Sequence, residues 1–178
     1  MILGNPYKFS ILLEMVDDWN VKDKYSFYNG ILEFYVDGNI FPYKMVNATL
    51  GSEVPNLIRQ FSHISINKRV YDMKSEKAFF EIYHIIYSDN EDIDNDSNYD
   101  ITPYSFCDIN CHVFAVSNGE QIRILAANLE CRLDEETYQL NNIEIAEAYI
   151  SIDDVNDFVT KLNAQLLQQT QLNETYKI

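Results

Sequence analysis

Residues 7–16, YKFSILLEMV, set Phe9, Ile11, Leu13 and Met15 on one parity and Lys8, Ser10 and Glu14 on the other. A period of two marks a strand with one buried face. It predicts a strand from Tyr7 to Val16, closed by Asp17-Asp18-Trp19-Asn20. A second strand follows from about Tyr28 through GILEFYV, Asp37-Gly38 supplies a turn with φ > 0, and NIFPY returns as a short strand. Two-residue turns join antiparallel strands, whereas parallel strands need a long crossover. Pro42 marks an edge or a strand end, because it has no N–H for a ladder.

Further along, Val54, Leu57, Ile58 and Phe61 are spaced for a short helix over about Ser52–Phe61. A second helix is expected over Ser75–Tyr87. Ser75 would cap it, Glu76 favours its first turn, and Phe79, Ile82, Tyr83 and Ile86 form its stripe. Tyr104–Val116 reads as one or two strands, and Asn118-Gly119 predicts a hairpin to a strand over about Gln121–Leu129. A further strand lies within Asn142–Ile152. Ile143 and Ile145 share one parity there and Ile150 and Ile152 the other, which requires a bulge or a strand boundary. Ser151 and Asp154 have the spacing of a capping box. Val155, Phe158, Val159, Leu162 and Leu166 then recur at helical intervals. The Gln-rich end, 169–178, is expected to fray. The expected fold is α+β: one domain over 1–178, a mainly antiparallel sheet, two or three helices, and the C-terminal helix packed on the sheet.

Charge is distributed unevenly. Residues 1–87 hold ten acids and nine bases, whereas residues 88–178 hold eighteen acids and only Arg123, Arg132, Lys161 and Lys177. The stretch SDNEDIDNDSNYD, Ser88–Asp100, has six acids and no base, and defines an acidic loop over 88–103. A second group is Asp134, Glu135 and Glu136. Phosphate contact needs a basic patch, so this balance argues against nucleic acid and anionic membrane and favours a basic protein partner. Asp92, Asp94, Asp96, Tyr99, Glu135 and Glu136 are the candidate docking residues. They join carboxylates to a Tyr, which suits an interface with a cationic surface.

Catalytic and metal motifs fit less well. Asp92, Asp94, Asp96, Asn98 and Asp100 alternate like the start of a calcium loop, but Ser97 and Pro103 stand where Gly and a bidentate Glu belong. Cys107, Cys111 and His112 lack zinc spacing, and on a single strand the two sulfurs would lie ~13 Å apart. A Cys–His hydrolase or a calcium-responsive module is the alternative to a binding protein, and no cofactor is expected. Three cysteines, Cys107, Cys111 and Cys131, without a disulfide framework fit a reducing cytoplasm. The start MILGNPYKFSILLEMVDD lacks the charge and apolar pattern of a signal peptide, and no apolar run approaches the ~20 residues of a membrane span.

GNPYKFSILLEMVDDW followed by GILEFYVDG resembles the beginning of bacterial immunity proteins of polymorphic toxin systems, most specifically the immunity protein 42 family. HVFAVSNGEQIRIL and EAYISIDDVNDFVTKLNAQL are similar in layout, giving a hairpin, a further strand and a closing helix. The likeness spans about half the chain in pieces, and the acidic loop lies outside it. The resemblance implies a cytoplasmic protein that neutralises a cognate toxin domain delivered by contact-dependent inhibition or type VI secretion. The family carries no catalytic residues to transfer.

Overall fold

The computed structural model describes residues 1–20, 28–88, 96–129 and 143–175. The alternation in the first third builds β2 (Phe9–Met15) and β3 (Asn29–Val36), paired antiparallel with Leu13 opposite Leu32. Asp37 and Gly38 both take positive φ, 51° and 78°, which turns the chain into β4 (Asn39–Phe41). Two strands add to those expected. β1 (Ile2–Asn5) folds back on β2, and β5 (Ala48–Thr49) pairs with the start of β3.

A second sheet holds β6 (Cys111–Ser117), β7 (Gln121–Asn128) and β8 (Ala146–Ser151), all antiparallel. The phase shift before Ile150 is a strand boundary. Ala146, Ala148 and Ile150 face one cluster, whereas Ile143 and Ile145 precede the strand and pack on another. Thus the single sheet expected is two sheets.

Among the described residues there are three long helices, α1 (Leu50–Ser62), α3 (Ser75–Tyr87) and α5 (Ile152–Thr175), together with the single turns α2 (Lys68–Tyr71) and α4 (Tyr104–Cys107). The strand expected from Tyr104 begins only at Cys111, because Pro103 starts a helical turn. α5 opens on the predicted box. Ser151 Oγ accepts the Asp154 N–H at 3.1 Å, and Asp154 Oδ2 accepts the Ser151 N–H at 2.9 Å. The Ser151 hydroxyl also donates to Asp154 Oδ2 at 2.7 Å, and this bond, with that of the Ser151 N–H, holds the Asp154 carboxyl below the usual carboxylate range. The helix continues to Thr175.

The inner face of the first sheet, α1, α5 and one face of the second sheet enclose the main core. Phe9, Phe34, Phe61 and Phe158 meet edge-on or tilted inside it, at centroid distances of 5.5–6.1 Å. Gly4, at φ 95°, admits α5 against β1, since a Cβ there would lie 2.8 Å from the Phe158 ring. The other face of the second sheet carries Phe114, Val116, Leu125 and Ala127, and is covered by Val70 and Tyr71 of α2 and by Ala78, Phe79 and Ile82 of α3. The molecule is an α+β stack in which the second sheet is the shared middle layer.

Candidate functional site

The acidic loop leaves α3 and returns to β6, and its return is fastened residue by residue. Asp96 caps a 3₁₀ turn (Ser97–Tyr99) by accepting the Asn98 N–H at 3.0 Å, and it also accepts the Ser65 hydroxyl. Tyr99 is 5% exposed, lies in the cluster under α3, and accepts a bond from Asn67 Nδ2 at 2.9 Å. Asp100 bridges to Phe114, and the Ile101 N–H reaches the Val113 carbonyl at 3.1 Å. Thr102 Oγ1 accepts the Val113 N–H at 2.9 Å. A short run of chain therefore lines the outer edge of β6.

The outgoing stem is tied to the same place. Tyr87, the last residue of α3, donates to Asp100 Oδ2 at 3.4 Å, and its ring lies 4.8 Å from Tyr83 and 5.4 Å from His112. Burial, then the Asp100 charge, pushes the Tyr87 hydroxyl up. Burial lowers His112 from its ordinary 6.5 against an opposing pull from Asp100.

The second acidic group is framed by Leu129 and Ile143, which pack on that same cluster. The Leu129 N–H donates to the Asn110 carbonyl at 2.7 Å. Both acidic segments thus start and finish on the α3 side of the middle sheet. Of the sequence-predicted docking residues, Asp96 and Tyr99 are placed here, whereas Asp92, Asp94, Glu135 and Glu136 lie outside the described residues.

Several acids of the second half serve the fold. Glu147 accepts Arg123 Nε at 2.8 Å and bonds from the hydroxyls of Ser75 and Tyr149. Burial pulls the Glu147 carboxyl upward, but the Ser75 and Tyr149 bonds and the Arg123 charge outweigh it and hold it low. Arg123 is 2% exposed, and its Nη1 donates to the carbonyls of Tyr71 and Met73, each at 2.6 Å. One guanidinium therefore fixes the turn between α2 and α3 onto the sheet. Ser75, expected as a cap, makes no capping bond and instead serves Glu147. Glu53 on α1 is also buried, and receives the N–H groups of Tyr104 and Ser105 at 3.0 and 2.8 Å. Sequence reasoning passed over both residues. The available signal was a lone Arg in QIRILAA, apolar on both parities, where a buried cation needs an acid across the ladder.

The two thiols among the described residues, Cys107 and Cys111, are both shifted toward the protonated form. Cys107 lies on α4, not on a strand with Cys111. Burial, then Asp100, Glu53 and Asp108, raises the Cys107 thiol, and burial pushes Cys111 up to about 12. A reactive cysteine needs the opposite shift. Among the described residues no three His, Cys, Asp or Glu side chains are grouped to hold a metal ion, and no helix is long and apolar enough to cross a membrane.

A family model described as immunity protein 42 matches residues 1–165. The crystal structure of CdiI from Burkholderia dolosa AUO158 is similar, with a TM-score of 0.68 at 20% identity, over 90% of this chain and 99% of that one. No curated protein matches.

Proposed function

The chain belongs to the immunity protein 42 family, and we propose that it binds and neutralises a cognate toxin domain in the bacterial cytoplasm, acting as an inhibitor and not as an enzyme. The toxin domain is basic in this reading, and a nuclease suits the charge best because its cleft holds phosphates. The observation that carries the reading is the shared footing of the two acidic segments. Residues 89–95 and 130–142 hold eight acids against one base, and their flanking residues Tyr99, Leu129 and Ile143 pack on one cluster. Acidic segments anchored on one layer would, in this reading, gather negative potential on one side, and such a potential steers a basic partner at rates up to ~10⁸–10⁹ M⁻¹s⁻¹.

Asp92, Asp94, Asp96, Glu135 and Glu136 are the docking carboxylates. Tyr99 seats the loop from below, since its ring is buried and its hydroxyl is held by Asn67. Each carboxylate covered by the partner needs an Arg or Lys opposite, or its desolvation exceeds the gain.

The test is stopped-flow association with the cognate toxin domain, over a range of salt. Changing the five acids to Asn or Gln should slow association by about tenfold or more and flatten its salt dependence. Kinetics that do not change dismiss the docking assignment.

A further inference from the structure

The chain returning from the acidic loop lies antiparallel against α1. The Ser65 N–H, just past that helix, donates to the Asn98 carbonyl at 3.3 Å, Gln60 Nε2 donates to the Thr102 carbonyl at 3.3 Å, and the N–H groups of Tyr104 and Ser105 reach Glu53. Glu53, Asn56 and Gln60 recur at helical intervals, so α1 turns a polar face to this run. Two carboxamides on that face are half used. Asn56 Oδ1 accepts Arg59 Nη2 at 2.8 Å and the Tyr104 hydroxyl at 3.5 Å, which leaves the Asn56 nitrogen. Gln60 uses its nitrogen on Thr102, which leaves its oxygen. Asn56 and Gln60 are 8% and 7% exposed, and among the described residues no group bonds to Asn56 Nδ2, Gln60 Oε1 or Ser105 Oγ. An unpaired buried polar atom costs more than an ordinary hydrogen bond returns, so each one calls for a partner. The two ends of this seam carry exposed apolar side chains, Tyr104 at 61% and Ile66 at 73%. The backbone under Ile66 is fixed on both sides: the Ser117 N–H donates to the Ser65 carbonyl and the Asn67 N–H to the Ser117 carbonyl, each at 2.9 Å.

Resting on toxin neutralisation as the function, we propose that the seam between α1 and residues 96–105 is part of the docking surface. It takes an amide of the toxin, a peptide group or an Asn or Gln side chain, whose C=O accepts from Asn56 and whose N–H donates to Gln60. Side chains one helical turn apart stand ~5–6 Å from each other at Cβ, which brings a donor and an acceptor within reach of one amide. Tyr104 and Ile66 are the apolar anchors at its ends, and an exposed Tyr is a residue on which binding energy concentrates. The Tyr104 hydroxyl meets Asn56 at the outer limit of a hydrogen bond, so its ring yields to a partner that needs the nitrogen beneath. Continuity and charge identify the occupant. One wall of the seam is the run that brings the acidic loop back, so a toxin held by Asp96 lies beside it. A second copy, at a net −15, is repelled from a wall that carries Asp96, Asp100 and Glu53.

The experiment is stopped-flow association and dissociation of the full chain with the cognate toxin domain, beside thermal melting of the free chain. Gln60→Met and Ser105→Ala each remove an unpaired atom. The free chain should melt at the same temperature or higher, whereas the complex should dissociate about tenfold faster. Tyr104→Ala and Ile66→Ala should also speed dissociation by about tenfold or more, with far-ultraviolet circular dichroism unchanged. In all four variants association and its salt dependence should match the wild type, because no charge is altered. The docking carboxylates act on the association rate, so the two ideas fail separately. Unaltered dissociation in all four variants overturns the seam and leaves the acidic contact standing. A melting temperature that falls by several degrees in both Gln60→Met and Ser105→Ala also overturns it, because these atoms are then engaged within the fold. So does a wild-type chain that dimerises and that the same variants make monomeric, since a second copy then fills the seam. A chain that binds no toxin at all overturns the proposal together with the function it rests on.

Discussion

The two sheets follow opposite rules. The first is one-sided: in β3 buried and half-buried residues alternate along the whole strand. The second is two-sided: every residue of β6 is buried, with Val113 and Ala115 in one cluster and Phe114 and Val116 in the other. A one-sided sheet can leave polar side chains to solvent. A two-sided sheet must satisfy each of them internally, and the Arg123–Glu147 pair does this where α2 and α3 cover it. Mutational cost should therefore depend on which sheet is touched and, in the first sheet alone, on residue parity.

The largest effect is expected at Arg123. Arg123→Ala strands the Glu147 carboxylate and removes the donor to the Tyr71 and Met73 carbonyls. Urea denaturation should show a loss of about 3–5 kcal/mol, and replacing both Arg123 and Glu147 by Met should recover most of it. A loss under about 1 kcal/mol for Arg123→Ala would mean that the pair does not hold the layers together.

Neighbouring residues give the next test. Val113→Ala and Phe114→Ala should each destabilise by about 2–5 kcal/mol, since both faces of β6 are packed. In β3, Leu32→Ala should fall in that range, while its neighbour Ile31→Ala should cost about 1 kcal/mol or less. Equal losses at Ile31 and Leu32 would erase the distinction between the sheets.

The smallest effect is the response to acid. His112 lies in the two-sided sheet with its folded pKa below 6.5. The unfolded chain then takes up its proton first as pH falls. This stability is complete above the unfolded value and is lost as pH drops through the folded value. Glu147, also held low, acts in the same direction at more acidic pH. The melting midpoint should decline between about pH 7 and pH 5, and His112→Gln should flatten that part of the curve. A midpoint that rises on acidification would reverse the sign.

Local chemistry was legible where one short signal decided the outcome. Asp37-Gly38 and Asn118-Gly119 each formed a hairpin, and Ser151 with Asp154 formed the predicted cap. The helix over Ser75–Tyr87 matched to the residue, since its apolar stripe has no competitor. What escaped was set by distant partners. β1 is too short and too interrupted by Gly4 to show a period. The division into two sheets depends on which strands meet, and alternation cannot report that. Tyr104–Cys107 turned helical through Pro103 and the buried Glu53, whose position is fixed by α1. At the candidate site, charge was readable as composition, whereas the footing of the acidic loop was not. Asp96 and Tyr99 are held by Ser65 and Asn67, some thirty residues earlier, with spacings of 31 and 32.

The meeting of Gly4 with Phe158 has a consequence for the chain while it is being made. The first strand and the last helix share one core, so most of the polypeptide must leave the ribosome before that core can close. Pairings this remote in sequence slow folding. Immunity would then lag synthesis by a folding time, and a cell would depend on the pool it had already matured.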